Sequence, residues 1–247
     1  MNLWNEILSS AGDGGLHATL IDPATTGPEA AGELAAMVEA AGTDLFLFGG
    51  STGVTREGIE ATVEAVAEAS DKPRLLFPSS SAQMARGLDG ILFTLTLNST
   101  LPACIVGEQA KGAEPVVQAG LPTITTAYLI VEPGMTVGRV TEADLLTRDE
   151  AGIQRARAYA YLARVLGLDA IYLEAGSGAG EPVPSAMVEA AVASGVPVIQ
   201  GGGIRTPEQA QAALDAGAKV IVTGTVAERG DHKALEAIIH QVRRSRG

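Results

Sequence analysis

Two carboxylates draw attention because each closes an apolar run. Asp22 follows Leu16-His17-Ala18-Thr19-Leu20-Ile21 and precedes Pro23, which fixes the direction of the chain. Glu174 follows Ala170-Ile171-Tyr172-Leu173 and precedes Ala175. A carboxylate in such a place can act as acid, base or metal ligand. An apolar setting raises a carboxyl pKa, which suits Glu174 to general base work; a capping or salt-bridge role is the alternative. Ser51 and Thr52 end the next run, 44–48, and bring hydroxyl oxygens. One carboxylate with a hydroxyl suits Mg²⁺, which keeps several waters and takes other ligands from substrate phosphates. No His/Cys constellation for zinc exists, and His17, His232 and His240 are isolated, hence read as structural. The single cysteine, Cys104, lacks any nucleophile motif and is expected to pack.

Glycines carry the second signal. Gly201-Gly202-Gly203 follows the run 197–200, and Gly224-Thr225 follows 219–222. Glycines let the backbone approach a phosphate with its N–H groups pointing at it, though they also make plain tight turns. Thr206 and Pro207 then read as N-cap and first position of a helix. Gly176-Ser177-Gly178 is placed to close the same pocket, with the Ser177 hydroxyl as a donor. Arg205 is either a charged contact for that phosphate or a surface partner of Glu208.

These groups need a scaffold that brings strand ends together. Eight short apolar runs alternate with Ala/Glu-rich helical segments. Continuous apolar runs mark parallel strands buried on both faces. Eight such units in 247 residues fit a closed (β/α)8 TIM barrel, expected as a single domain over 1–247. In that fold the residues just after the strands form the active face, and phosphate binding recurs after strands seven and eight. One unit is irregular. Residues 79–89 leave too little room for a crossover helix between strands three and four, so a loop or single turn replaces it.

Composition narrows the partners. The net charge is -12, and Lys72, Lys111, Lys219 and Lys233 are the only lysines. Acidity and an aromatic content of 4% argue against nucleic acid and against more than transient contact with an anionic membrane. A lone cysteine suits a reducing compartment, the N-terminus has no basic flank of a signal peptide, and no apolar run reaches the roughly 18 residues of a transmembrane helix. A cytoplasmic location is expected.

The segments HATLIDP (17–23), DLFLFGGSTGVT (44–55), LNS (97–99), YLIVEPG (128–134), TVGRV (136–140), YLEAGSG (172–178), GGGIR (201–205) and VTGT (222–225) run in order along nearly the whole chain. Together they resemble the geranylgeranylglyceryl phosphate synthase family of barrel prenyltransferases. That resemblance implies transfer of a prenyl group from geranylgeranyl diphosphate to the 3-hydroxyl of sn-glycerol 1-phosphate, the first ether bond of archaeal-type membrane lipids. It implies Mg²⁺ at Asp22 and Ser51, and glycerol phosphate along Tyr172, Leu173, Glu174, Ala175, Gly176, Ser177 and Gly178. It places Gly202, Gly203, Gly224 and Thr225 on the phosphate, makes Glu174 the base or orienter, and implies a homo-oligomer, for which Tyr159 and Tyr161 offer an aromatic contact.

Phe46, Phe48, Leu95 and Leu97 are candidate lining for the prenyl tail, with barrel core as the plainer reading. The chain departs from the family pattern in places: Ala24 and Thr25 replace an expected acidic residue and lysine, and Ala127 and Met135 stand where glycines are usual. Other readings are a sugar-phosphate isomerase or lyase using Asp22 and Glu174 as an acid/base pair, or a barrel that binds a phosphorylated ligand without catalysis.

Overall fold

The computed structural model describes residues 2–228 and 230–246. Eight parallel strands close into a barrel in sequence order: β1 (Leu16–Ile21), β2 (Leu45–Phe48), β3 (Arg74–Leu76), β4 (Gly90–Thr96), β5 (Thr123–Ile130), β6 (Ala170–Glu174), β7 (Val198–Gly201) and β8 (Val220–Thr223). Closure comes from β1 pairing with β8, with Leu16 opposite Val220 and Thr19 opposite Thr223. Side chains alternate across each strand. Leu45, Leu47, Leu75, Leu92, Ile124, Ala170, Ile199 and Val222 therefore fill the barrel, while Ile21, Phe46, Phe48, Leu76, Ile171 and Leu173 pack outward against the helices.

That outer layer is built by α2 (Pro28–Ala41), α3 (Arg56–Ala69), α4 (Glu108–Gln118), α6 (Glu150–Val165), α7 (Ser185–Val192), α8 (Pro207–Asp215) and α10 (His232–Arg244). A short helix, α1 (Leu3–Ser9), has no counterpart in the apolar-run reading. It closes the amino-terminal end of the barrel: Trp4 and Ile7 join the interior core, and the Trp4 Nε1 donates to the Asp169 carbonyl at 3.0 Å.

The irregular unit is as expected. Between β3 and β4 there is one 3₁₀ turn, Ser81–Gln83, and no crossover helix. The helical segment after β4 is in two parts. A π-helical turn, Ala103–Gly107, leads into α4. Two more short helices follow strands at the active face: α5 (Met135–Val140) after β5 and α9 (Thr225–Glu228) after β8.

His17 is structural, as expected. Fully buried on the outer face of β1, it pairs with the Thr43 and Thr223 hydroxyls at 2.9 Å each. Burial first, and the Arg246 charge second, push its pKa down to about 3, so it stays neutral.

Candidate functional site

Two cavities open at the carboxyl ends of the strands. The smaller, about 40 Å³, is lined by Tyr172, Glu174, Ser177, Gly178, Gly202, Gly203, Gly224 and Thr225, among others. Three strand ends thus bring together most of the residues singled out for the glycerol phosphate. Gly202 and Gly203 both have φ of 77°, a conformation that favours glycine. A Cβ on Gly202 would stand 2.4 Å from Glu174 Oε1, and one on Gly203 would stand 2.3 Å from the Glu181 carbonyl oxygen. Thr225 ties the walls: its Oγ1 accepts from the Gly178 N–H at 3.0 Å and lies 3.0 Å from the Ser177 hydroxyl. Thr206 caps α8 in a capping box with Gln209, with Pro207 in the first turn.

Three residues of the segment 172–178 sit differently. Leu173 and Ala175 are fully buried in the outer core, so only their backbone faces the strand end. Gly176 shapes the turn, with φ of 99° and its N–H donating to Glu174 Oε1 at 2.7 Å. Arg205 does not pair with Glu208. Its Nη2 donates to the Gly178 and Ala179 carbonyls at 2.9 and 2.7 Å, so it braces the β6 loop while lining the small cavity.

The larger cavity, about 270 Å³, begins at Asp22, Gly50 and Ser51 and passes Phe77 and Tyr128. It then runs outward through the place of the missing crossover, between Met84, Ile91, Phe93, Gly112 and Val116. Phe46 and Phe48 are not part of it; they are fully buried under α2 and α3. Leu95 is absent from the wall too, and Leu97 packs into the outer core. Alternation along a strand could not separate these faces, because a parallel barrel buries both. Cys104, expected only to pack, is partly exposed and lines this cavity.

Asp22 lies flush against the end of β2. A Cβ on Gly50 would fall 2.1 Å from its Oδ2. Its Oδ1 accepts from the Ala24 N–H at 2.9 Å. Partial burial raises its pKa, opposed by that bond. With Ser51 on the same wall, the donors are one carboxylate and one hydroxyl, and no group of three or more His, Cys, Asp or Glu is gathered for a metal among the described residues. This set fits a largely hydrated hard cation that completes its shell from a ligand, and not zinc.

Glu174 lines both cavities. It is 6% exposed, and burial raises its pKa to about 7 against the Gly176 N–H and the phenols of Tyr172 and Tyr128, which favour the ionised form. Beneath it, Phe77 stacks on Tyr172 with centroids 5.2 Å apart, and Tyr128 meets both edge-on at 5.5 and 5.2 Å. Gly201 makes room for this cluster, since a Cβ there would stand 2.2 Å from the Tyr172 hydroxyl. Sequence reasoning missed Phe77 and Tyr128. The usable signal was register: Tyr128 and Tyr172 are partners across β5 and β6, at matched heights below the strand ends.

Residues 8–242 match the PcrB family. Over 215 residues the chain is 47% identical to the geranylgeranylglyceryl phosphate synthase of Thermococcus gammatolerans, covering 87% of this chain and 84% of that protein. It is 38% identical to the synthase of Thermoplasma acidophilum over 246 residues, covering 98% of this chain and 96% of that protein. The crystal structure of (S)-3-O-geranylgeranylglyceryl phosphate synthase from Thermoplasma acidophilum, in complex with its substrate sn-glycerol-1-phosphate, superposes with a TM-score of 0.94 over 99% of both chains. With the strand-end glycines, the paired cavities and the missing crossover all in place, the chain belongs to the PcrB family, whose geranylgeranylglyceryl phosphate synthases it resembles along nearly its whole length.

Proposed function

We propose that this protein joins geranylgeranyl diphosphate to the 3-hydroxyl of sn-glycerol 1-phosphate, releasing diphosphate. The observation that carries this reading is Glu174 in the wall shared by a small glycine-lined notch and a larger slot walled by Ile91, Phe93 and Val116. A sugar-phosphate isomerase or lyase would have no use for the slot.

The glycerol phosphate belongs in the notch. Backbone N–H groups at Gly202, Gly203 and Gly224, with the hydroxyls of Ser177 and Thr225, meet the phosphate. The prenyl tail belongs in the slot along Ile91, Phe93 and Val116, its reacting end near Phe77 and Tyr128. Asp22 and Ser51 would hold Mg²⁺. That ion would supply charge neutralisation to the departing diphosphate.

As the bond between the allylic carbon and the diphosphate oxygen breaks, the glycerol oxygen bonds to that carbon and its proton passes to Glu174. The carbon develops positive charge, so placing the hydroxyl matters more than strong basicity. A group with a pKa near 7 is suited to this exchange.

The assay mixes the protein with Mg²⁺, glycerol 1-phosphate and geranylgeranyl diphosphate and looks for the ether. Absence of product with every prenyl length overturns the proposal. We also propose self-association through α6, where Tyr161, Leu162, Val165 and the adjoining Leu166 expose apolar surface. Tyr159, by contrast, packs against the core.

A further inference from the structure

The diphosphate end of the large cavity has an unusual charge balance. The carboxylates lining the cavity as a whole, among the described residues, are Asp22, Glu108, Glu174 and Glu228, with no lysine or arginine. A diphosphate placed there needs hydrogen-bond donors besides a metal. Next to Ser51 around the cavity wall is the segment Pro78-Ser79-Ser80-Ser81, which enters directly from β3, the strand paired with β2.

Its three serines are not equivalent. Ser81 is already engaged: its N–H and hydroxyl both donate to Glu108 Oε2 at 2.9 Å. Ser79 is held in the opposite sense by Gln83, which is buried at 5% exposure. Gln83 Oε1 accepts the Ser79 N–H at 2.8 Å, which fixes the amide's orientation. The Gln83 Nε2 must then donate to Ser79 Oγ, at 3.1 Å. A hydroxyl that accepts there has its one proton left for another acceptor. Ser80 is half-buried on the same wall, and its hydroxyl makes no hydrogen bond among the described residues.

We infer that Ser79 and Ser80 form a hydroxyl half-site for the diphosphate oxygens of the prenyl donor, with Gln83 as the residue that positions Ser79. The pair supplies donors beside Ser51, in a cavity where no described lining side chain supplies positive charge. This rests on the transferase reading above.

The test uses inorganic diphosphate with Mg²⁺ as the probe, titrated into the intact protein by calorimetry. Two donors to a charged group are expected to be worth about tenfold or more in affinity. The double variant Ser79→Ala, Ser80→Ala should lose that factor, keep its affinity for glycerol 1-phosphate, and melt at the wild-type temperature. Ser79→Thr, which keeps the hydroxyl, should bind diphosphate nearly as wild type does. Diphosphate affinity within twofold of wild type in the double variant overturns the inference. So does an equal loss for glycerol phosphate, which would mark a general disturbance. A wild-type protein that makes no ether defeats the transferase reading instead, which the assay above detects separately.

Discussion

Glu174 is pulled two ways. The reaction needs it ionised, while its burial keeps it protonated up to about pH 7. Glu174→Gln removes the proton acceptor but keeps size and hydrogen bonding, so kcat should fall by about 10²-fold or more while glycerol phosphate still binds, a split that titration and steady-state kinetics measure. The same burial costs stability. Between pH 4.5 and about 7 the unfolded chain holds this carboxyl ionised while the folded chain keeps it protonated, so stability falls as pH rises through that window and stays lower above it. The loss is about 3 kcal/mol at most. Glu174→Gln should therefore melt higher than wild type at pH 8 and match it at pH 4, and equal melting at both values would place the carboxylate in a wetter setting. Gly202→Ala should do the reverse at the notch: a Cβ 2.4 Å from Glu174 Oε1 at φ 77° should abolish measurable glycerol phosphate binding. At this scale the sequence was informative wherever chemistry coincided with a strand end. Asp22, Ser51, Glu174 and the paired glycines each follow an apolar run, and that position alone sends them to one face. Phe77 and Tyr128 escaped because nothing local marks an inward aromatic, and Arg205 because a guanidinium finds carbonyls that only the fold supplies.

Among the elements, the missing crossover between β3 and β4 has the largest effect. It was legible from length alone, since eleven residues, 79–89, cannot hold a helix and its two connections. Its consequence was not legible. The outer face of β4, elsewhere covered, becomes a wall of the slot through Ile91 and Phe93. Gly112 on α4 looks across this slot, with 3.7 Å between its would-be Cβ and the Ser81 Cβ. Gly112→Phe should obstruct the tail, raising KM for geranylgeranyl diphosphate at least tenfold while sparing a much shorter prenyl donor; equal effects on both donors would show that the tail runs elsewhere. Helix α1 was missed for a physical reason. It is a single short amphipathic segment whose Trp4 finds its core only once the barrel has closed. The loop after β5 tells the opposite story. Met135 occupies φ 46°, a left-handed backbone position that favours glycine, held here by a side chain that packs over Gly176.

Over the whole molecule, the charge of -12 is spread on a surface with few lysines, and no described helix is long and apolar enough to cross a membrane. Exposed apolar side chains gather at the end of α6, apart from separate ones such as Val117. Val165 is 82% exposed beside Leu166 at 54%. Val165→Asp should convert the assembled protein to monomer in sedimentation, with the barrel's melting temperature nearly unchanged, because the residue touches little within its own chain. A monomeric wild type would remove this surface from consideration. Composition could exclude partners at this scale but could not choose among surfaces, since apolar residues on a helix announce themselves only when the opposite face is known to be buried.

The shared wall at Glu174 has one more implication. With the substrates placed as proposed, the two cavities would hold two separate molecules before the reaction. Afterwards they would hold one molecule, a lipid with its head in the notch and its tail in the slot. Joined ligands gripped at two places leave far more slowly than either part alone, because one end rebinds while the other is free. On that placement the product should leave more slowly than either substrate.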